Sequence, residues 1–375
     1  MRQVGIFRMV FPLSSETFIS GQALALTRYR PTFLLRSKLA DIGFDNIAIS
    51  DLRFGRVREL LFSLTRYPRL FGSSTKLQHL NLVHAHFGPD GTYAMGIAKM
   101  LRVPLVVTFH GFDATSSRST LFNLRKPSLC YFVLLEKRLQ QQASAVIAVS
   151  DFIQRQLVSR GYPEEKVIRH YIGVDTEIFK PAERLSSEPF ILCVGRHEEK
   201  KGIPTLIRAF ASVAKHHPNV SLLQVGSGTL TQSFISLAES LGIRDRVKFL
   251  GAQPHSKVVE LMRAARLFAL PSQTAASGDS EALGIVFNEA SACGIPIAAT
   301  LHGGIPEAVL DGDTGLLAPE KDHRALAERI NQLLSDTELA KKMGRRGREY
   351  VCETFNIHKQ TLKLENLYDS LIEKL

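Results

Sequence analysis

Short apolar runs that end in glycine, serine or histidine and lead into a helical stretch recur along the whole chain, and this alternation constrains the fold more than any other feature. Val4 to Phe11, Leu82 to Gly88, Pro104 to Gly111, Ala143 to Val149 and Val167 to Ile172 form one series, and Phe190 to Gly195, Leu222 to Val225, Leu267 to Pro271 and Ile297 to Thr300 form a second. Strand, turn and helix in succession predict parallel sheets covered on both faces. A chain of 375 residues is too long for one ordinary core, so two domains of similar size are expected, joined by the polar stretch Pro181 to Pro189.

The four cysteines, Cys130, Cys193, Cys293 and Cys352, lie far apart and mostly in apolar runs, so reduced thiols and a reducing cytoplasm are expected. The first residues, MRQVGIFRMVFPLSS, read as a strand, being too short and interrupted for a signal peptide or membrane span. The net charge of +11 is uneven: residues 1 to 180 hold 24 Lys plus Arg against 13 Asp plus Glu, and the remainder 23 against 23. Without the aromatic interleaving and basic runs of an RNA-binding module, this excess argues against nucleic acid and for an anionic membrane surface or lipid-diphosphate acceptor. Arg53 to Phe71 carries five arginines among leucine and phenylalanine clusters. As one helix it reads equally as an interfacial segment or as a core helix with solvated arginines.

Glu281 and Glu289 have seven residues between them, with Gly284 opening an apolar helix that ends before Gly294-Ile-Pro296. A solvated loop acid and a solvated helix acid would be the ordinary reading. Here Ile285, Val286, Phe287, Ala290, Ala292 and Cys293 surround them with apolar faces, and a buried carboxylate needs a partner. At about 1.5 Å per residue the acids would lie roughly 10 Å apart. That suits an extended ligand with hydroxyls at both ends and a diphosphate between them, on the N–H groups that follow Gly284, as in a nucleotide sugar.

Other strand ends carry polar groups too. His84 and His86 read as polar packing, the prior for a metal pair being low. Ser14, Ser15 and Glu16 follow the first strand, where Ser15 or Thr17 could equally cap a helix. Arg196 to Gly202, RHEEKKG, sits at a strand mouth where Arg196 and Lys201 could stabilise a departing diphosphate. Gly226-Ser-Gly228 is weak evidence alone. Asp311-Gly-Asp313 reads as a tight turn and not a metal site.

The stretch GDSEALGIVFNEASACGIPIAATLHGG and the following GGIPEAVLDGDTGLLAP resemble the E-x7-E element and its surroundings in retaining family-4 glycosyltransferases. The form PLSSETFI resembles a subgroup that builds bacterial exopolysaccharides, colanic-acid-type transferases among them. The resemblance implies an α/β GT-B fold, two Rossmann-like domains with parallel sheets facing across a cleft. Residues 1–180 would bind the acceptor and 181–352 the nucleotide sugar, with a helix in 353–375 crossing back to the first domain. It further implies that Glu281 holds the donor sugar, Glu289 the ribose, and Arg196 and Lys201 the diphosphate. Gly226, Gly284, Ile285 and Val286 would line the donor. His110, in a THG-x-D pattern, would stand near the reacting sugar, and Ser14, Ser15 and Glu16 near phosphate and acceptor. Ala282 and Leu283 depart from the family's usual Gly-Phe, which opens the choice of sugar. The implied activity is retaining transfer of a hexose, with a UDP-sugar as expected donor, to a lipid-linked or saccharide acceptor. It would occur in the cytoplasm at the inner face of the membrane, in exopolysaccharide or cell-surface glycan synthesis, with no cofactor and no metal because Arg and Lys serve the diphosphate. A nucleotide-sugar epimerase or a sugar phosphorylase on the same fold is the alternative.

Overall fold

In a computed structural model, residues 1–13, 16–72, 75–182 and 188–374 are described, with 75 and 76 as backbone only. The chain divides into two compact units, Met1–Gly173 with Ile357–Leu375, and Val174–Asn356.

Among the described residues the first unit is built on seven strands: β1 (Arg2–Phe11), β2 (Tyr29–Lys38), β3 (Asp45–Ala48), β4 (Leu82–His86), β5 (Leu105–Phe109), β6 (Ala145–Ala148) and β7 (Val167–Arg169). All pair in parallel, in the order β3-β2-β1-β4-β5-β6-β7. Burial on both faces explains why β5 and β6 read as nearly continuous apolar runs and do not alternate, and why His84 and His86 of β4 are buried as well. The last helix, Ile357–Ile372, belongs to this unit, and its Leu364 and Tyr368 pack with Val4, Tyr29, Leu82 and Val106. Its buried Glu365 accepts hydrogen bonds from the N–H groups of Thr27 and Arg28.

Among the described residues the second unit has six parallel strands: β8 (Phe190–Val194), β9 (Ser221–Val225), β10 (Val247–Phe249), β11 (Leu267–Leu270), β12 (Ile297–Thr300) and β13 (Leu316–Ala318). Their order is β10-β9-β8-β11-β12-β13. The helix Ile203–His216 places Ile203, Leu206, Ile207, Phe210 and Val213 against this sheet, the spacing of one helical face. Both sheets reverse direction of growth beside their first strand, between β1 and β4 and between β8 and β11. Ligands of open α/β sheets bind at the carboxyl ends of the strands at such a point.

The stretch Arg53 to Phe71 is not one helix. A helix covers Gly55–Thr65, stops with Arg66 in the left-handed conformation, and is followed by a single turn over Pro68–Phe71. Pro68 excludes helical geometry from the residue before it, which is why the chain breaks there. Of the helix only Gly55 and Phe62 are buried; Val57, Leu60, Leu61 and Leu64 face outward together with Arg56.

Candidate active site

In the second unit the switch point gathers residues from two loops. The turn after β8 is pinned to the loop after β11: the Lys200 carbonyl accepts from the Gln273 N–H, Glu199 accepts from the Ala276 N–H, and Lys200 pairs with Asp279. This brings Lys201 to Glu281, with Nζ 2.6 Å from Oε2. Ser272 donates to the same oxygen at 3.2 Å. Glu281 is held by its backbone as well, its N–H donating to His302 Nε2 and its carbonyl accepting from the Gly304 N–H. Burial alone would raise the carboxyl of Glu281; Lys201 and Lys200, with the hydrogen bonds from Lys201 and Ser272, overturn that and bring it down to about 2.

Because a backbone N–H only donates, His302 Nε2 carries a lone pair and Nδ1 carries the proton, which goes to Glu320 at 2.7 Å. Glu320 also accepts from the Thr274 N–H. The chain Glu320, His302, Glu281 thus fixes the acid from behind.

Glu289 differs in every respect. It sits near the end of the eight-residue helix Ile285–Ala292, and its carboxylate has no hydrogen-bond partner among the described residues. Burial pushes it up to about 7. Beside it Asn288 is fully buried with both side-chain polar atoms unmet among the described residues. Gly284 opens the helix at φ +77, and a Cβ there would lie 2.5 Å from the Phe287 ring, so only glycine fits. Among the described residues the N–H groups of Gly284, Ile285 and Val286 have no backbone acceptor. An open helix N-terminus between an anionic carboxylate and a protonatable one is suited to phosphate oxygens flanked by hydroxyls.

Arg196 is more than half exposed and pairs with Glu198 at 2.6 Å. Gly226, at φ +137, lies against the Gly195 carbonyl, so the β8 and β9 turns stack. Between them His197 is fully buried, bonded to Gln224 and to Thr231. Asp311 and Asp313 form a turn: Asp311 accepts from the Leu317 N–H at 2.8 Å, and Asp313 pairs with Arg346.

In the first unit the switch point holds a buried arginine. Arg8 is bidentate to Glu16, donates to Asp90, and donates to the His86 carbonyl at 3.1 Å, with its guanidinium over the Phe87 ring. Glu16 is therefore engaged by Arg8; Ser14 and Ser15 lie outside the described residues. His110 follows β5, flanked by the Phe18 and Phe87 rings, with Nε2 3.0 Å from His86 Nδ1. Asp113 accepts from the N–H groups of Gly88, His110 and Gly111, and burial still lifts its carboxyl to about 6 against those bonds.

Sequence reasoning missed Arg8, Asp90, His302 and Glu320. The only available signal was a charged residue within an otherwise apolar strand, in the case of Arg8.

The model for glycosyl transferases group 1 matches residues 174–350, and that for glycosyltransferase family 4 matches residues 24–178. The putative colanic acid biosynthesis glycosyltransferase WcaL of Escherichia coli is 28% identical, over 98% of this chain and 100% of its own. The WcaL of Salmonella typhimurium is 30% identical, over 76% of this chain and 70% of its own. The solved structure of Anabaena Alr3699/HepE in complex with UDP and glucose shares the fold, with a TM-score of 0.79 at 21% identity, covering 99% of this chain and 100% of that one. Two parallel-sheet units of this kind, matched in turn by these two models, make the chain a member of the group 1 and family 4 glycosyltransferases, with the GT-B fold.

Proposed function

We propose that this protein moves a hexose from a nucleoside-diphosphate sugar, a UDP-sugar, to a lipid-linked or saccharide acceptor with retention of anomeric configuration, in bacterial exopolysaccharide or cell-surface glycan synthesis. The observation that carries the reading is the pairing of an anionic, fully anchored Glu281 with an unpartnered Glu289 across an open helix N-terminus. An ionised carboxylate only accepts, so Glu281 takes the sugar hydroxyls, and Glu289 takes those of the ribose. The N–H groups of Gly284, Ile285 and Val286 take phosphate oxygens, and Gly226 lines the nucleotide side. Arg196 can leave its solvent-exposed partner Glu198 at little cost and, with Lys201, stabilise the charge that develops on the leaving diphosphate. No further carboxylate is assigned as a covalent nucleophile; the leaving phosphate accepts the acceptor's proton in a front-face substitution. His110 and the Ser14, Ser15, Glu16 segment serve the acceptor. The UDP and glucose in the similar HepE structure support the donor, and the naming of the WcaL relatives supports the product class. The epimerase or phosphorylase alternative finds no support in these relatives.

We also assign a peripheral contact with anionic membrane at the inner face. No helix among the described residues is long and apolar enough to cross a bilayer. The helix Gly55–Thr65 instead presents Val57, Leu60, Leu61 and Leu64 outward, with Phe54 before it and Tyr67 after it, alongside exposed Arg53, Arg56 and Arg69. Exchanging Arg56, Arg58, Arg66 and Arg69 for Gln should release the protein from phosphatidylserine vesicles in flotation; unchanged flotation removes this contact.

The transfer itself is tested by incubating the protein with UDP-hexoses and membrane-extracted glycan acceptors and reading the anomeric coupling of the product by proton NMR. Retention is expected. Inversion, or trapping of a glycosyl-enzyme intermediate, would sink the front-face reading.

A further inference from the structure

The outward apolar residues of the first unit do not end with the helix Gly55–Thr65. The helix Pro127–Gln142 buries Phe132, Glu136 and Leu139, at the spacing of one face, and turns Pro127, Tyr131, Leu134 and Arg138 the opposite way. Leu134 is 67% exposed. The outward face of this helix is joined to the first one: the Tyr131 hydroxyl donates to the Leu64 carbonyl, and the Arg66 guanidinium lies 5.0 Å from the centre of the Tyr131 ring. Leu134, one turn on from Tyr131, thus extends the apolar surface that Leu61 and Leu64 begin.

Ahead of the helix Pro127–Gln142 the chain presents a further leucine. The Lys126 N–H donates to the Asn123 carbonyl at 2.8 Å and the Arg125 N–H to Asn123 Oδ1 at 3.0 Å, which closes a turn with Leu124 and Arg125 at its tip. Leu124 is 81% exposed, and no other large apolar side chain among the described residues is more so. Phe122 beside it faces water as well. Single exposed leucines are ordinary; a row of them rimmed by arginine and lysine marks a contact surface.

Charge gathers on the same segments. Residues 52–78 and 117–135 hold nine Lys and Arg against one acid, an excess of eight out of the chain's +11. That acid, Glu59, accepts from the Ser37 hydroxyl, and Glu136 just beyond is buried between Arg118 and Arg160. An anionic bilayer takes both features at once: its headgroups attract the charge and its hydrocarbon boundary receives the leucines, which a soluble anion would leave in water. A second copy of the chain would set the same positive charge against itself.

We propose that the turn Asn123–Lys126 and the outward side of the helix Pro127–Gln142 form one membrane-docking face with the helix Gly55–Thr65, on which Leu124 enters the boundary between headgroups and acyl chains. This second attachment rests on the membrane contact assigned above to the helix Gly55–Thr65, and it fixes the orientation of the unit on the bilayer where one helix alone leaves it free to roll.

The chain contains no tryptophan, so a single substitution supplies a fluorescent reporter. Leu124→Trp and Leu61→Trp should each shift their emission to shorter wavelength on vesicles of phosphatidylcholine with phosphatidylserine, and lipids brominated near the top of the acyl chain should quench both; phosphatidylcholine alone should do neither. Leu241→Trp, in the second unit, should not respond. Leu124→Glu should weaken partitioning onto the same vesicles roughly tenfold, as loss of one buried leucine does, and leave the thermal unfolding midpoint unchanged because the side chain faces water in the free protein. A response from Leu61→Trp with none from Leu124→Trp would overturn the second attachment and leave that of the helix Gly55–Thr65 standing, whereas silence from both would remove the membrane contact itself. An emission shift of Leu124→Trp that grows with protein concentration in the absence of vesicles would assign the face to a second copy of the chain and overturn the proposal.

Discussion

Exchanging Glu289 for Gln should make the protein more stable while harming its ligand site, and the size of the gain follows from the structure. The carboxyl of Glu289, on a half-buried residue, moves from an ordinary 4.5 to about 7 because it is desolvated with no partner among the described residues. An acid raised in the folded state binds a proton more tightly there than in the unfolded chain, so folding becomes less favourable as pH rises from 4.5 to about 7 and stays so above. The span corresponds to about 3 kcal/mol at alkaline pH. Gln keeps the shape and never ionises. Glu289→Gln should therefore match the wild type below pH 4.5, pull ahead between 4.5 and 7, and hold a lead of about 2–3 kcal/mol at pH 8.5. Native-state hydrogen exchange of the amides in Ile285–Ala292, followed by mass spectrometry across that range, reads the local free energy without assuming that the two units unfold together. A variant no more stable than the wild type at pH 8.5 would refute the reasoning, because it would mean that the carboxylate has a partner that lowers it.

Other substitutions carry expectations of the opposite sign. Lys201→Met leaves Glu281 buried without its main counter-charge and should lose about 3 kcal/mol at pH 7 in thermal unfolding. That loss should shrink as pH falls from 4.5 towards 2, where the depressed carboxyl of Glu281 takes its proton and its stabilising contribution ends. Arg8→Met strands Glu16 and Asp90 and should cost about 3–5 kcal/mol, part of which Glu16→Gln in the same chain recovers. Gly226→Ala puts a Cβ 1.9 Å from the Gly195 carbonyl at φ +137, so a loss above about 3 kcal/mol by urea unfolding is expected.

What could be read from the sequence was local. The strands showed themselves as apolar runs bounded by turn residues, a pattern that needs only neighbouring positions. Glu281, Glu289 and Gly284 stood out for the same reason, as one continuous element. The partners of those residues did not. Lys201 reaches Glu281 only because β8 and β11 are neighbours in the sheet, 80 positions apart in the chain. Arg8 looked like an interruption of a strand, since Glu16 reaches it from the segment after β1 and Asp90 from the first turn of the helix Gly88–Leu101. His302 was hidden in a glycine turn, and its meaning depends on Glu320 behind it. The helix after Arg53 was overextended because arginine and leucine are good helix formers and their propensity obscured the break that Pro68 imposes two residues past Arg66.

The proposed transfer requires that the second unit hold a nucleoside diphosphate with its ribose on Glu289. Isothermal titration of UDP and of GDP into the wild type and into Glu289→Ala tests it most directly. Saturable binding of UDP by the wild type is expected, with a Kd raised roughly ten- to hundredfold in the variant, as for losing the two hydrogen bonds of a ribose. An equal Kd for the two proteins, or no binding of either diphosphate, would contradict it.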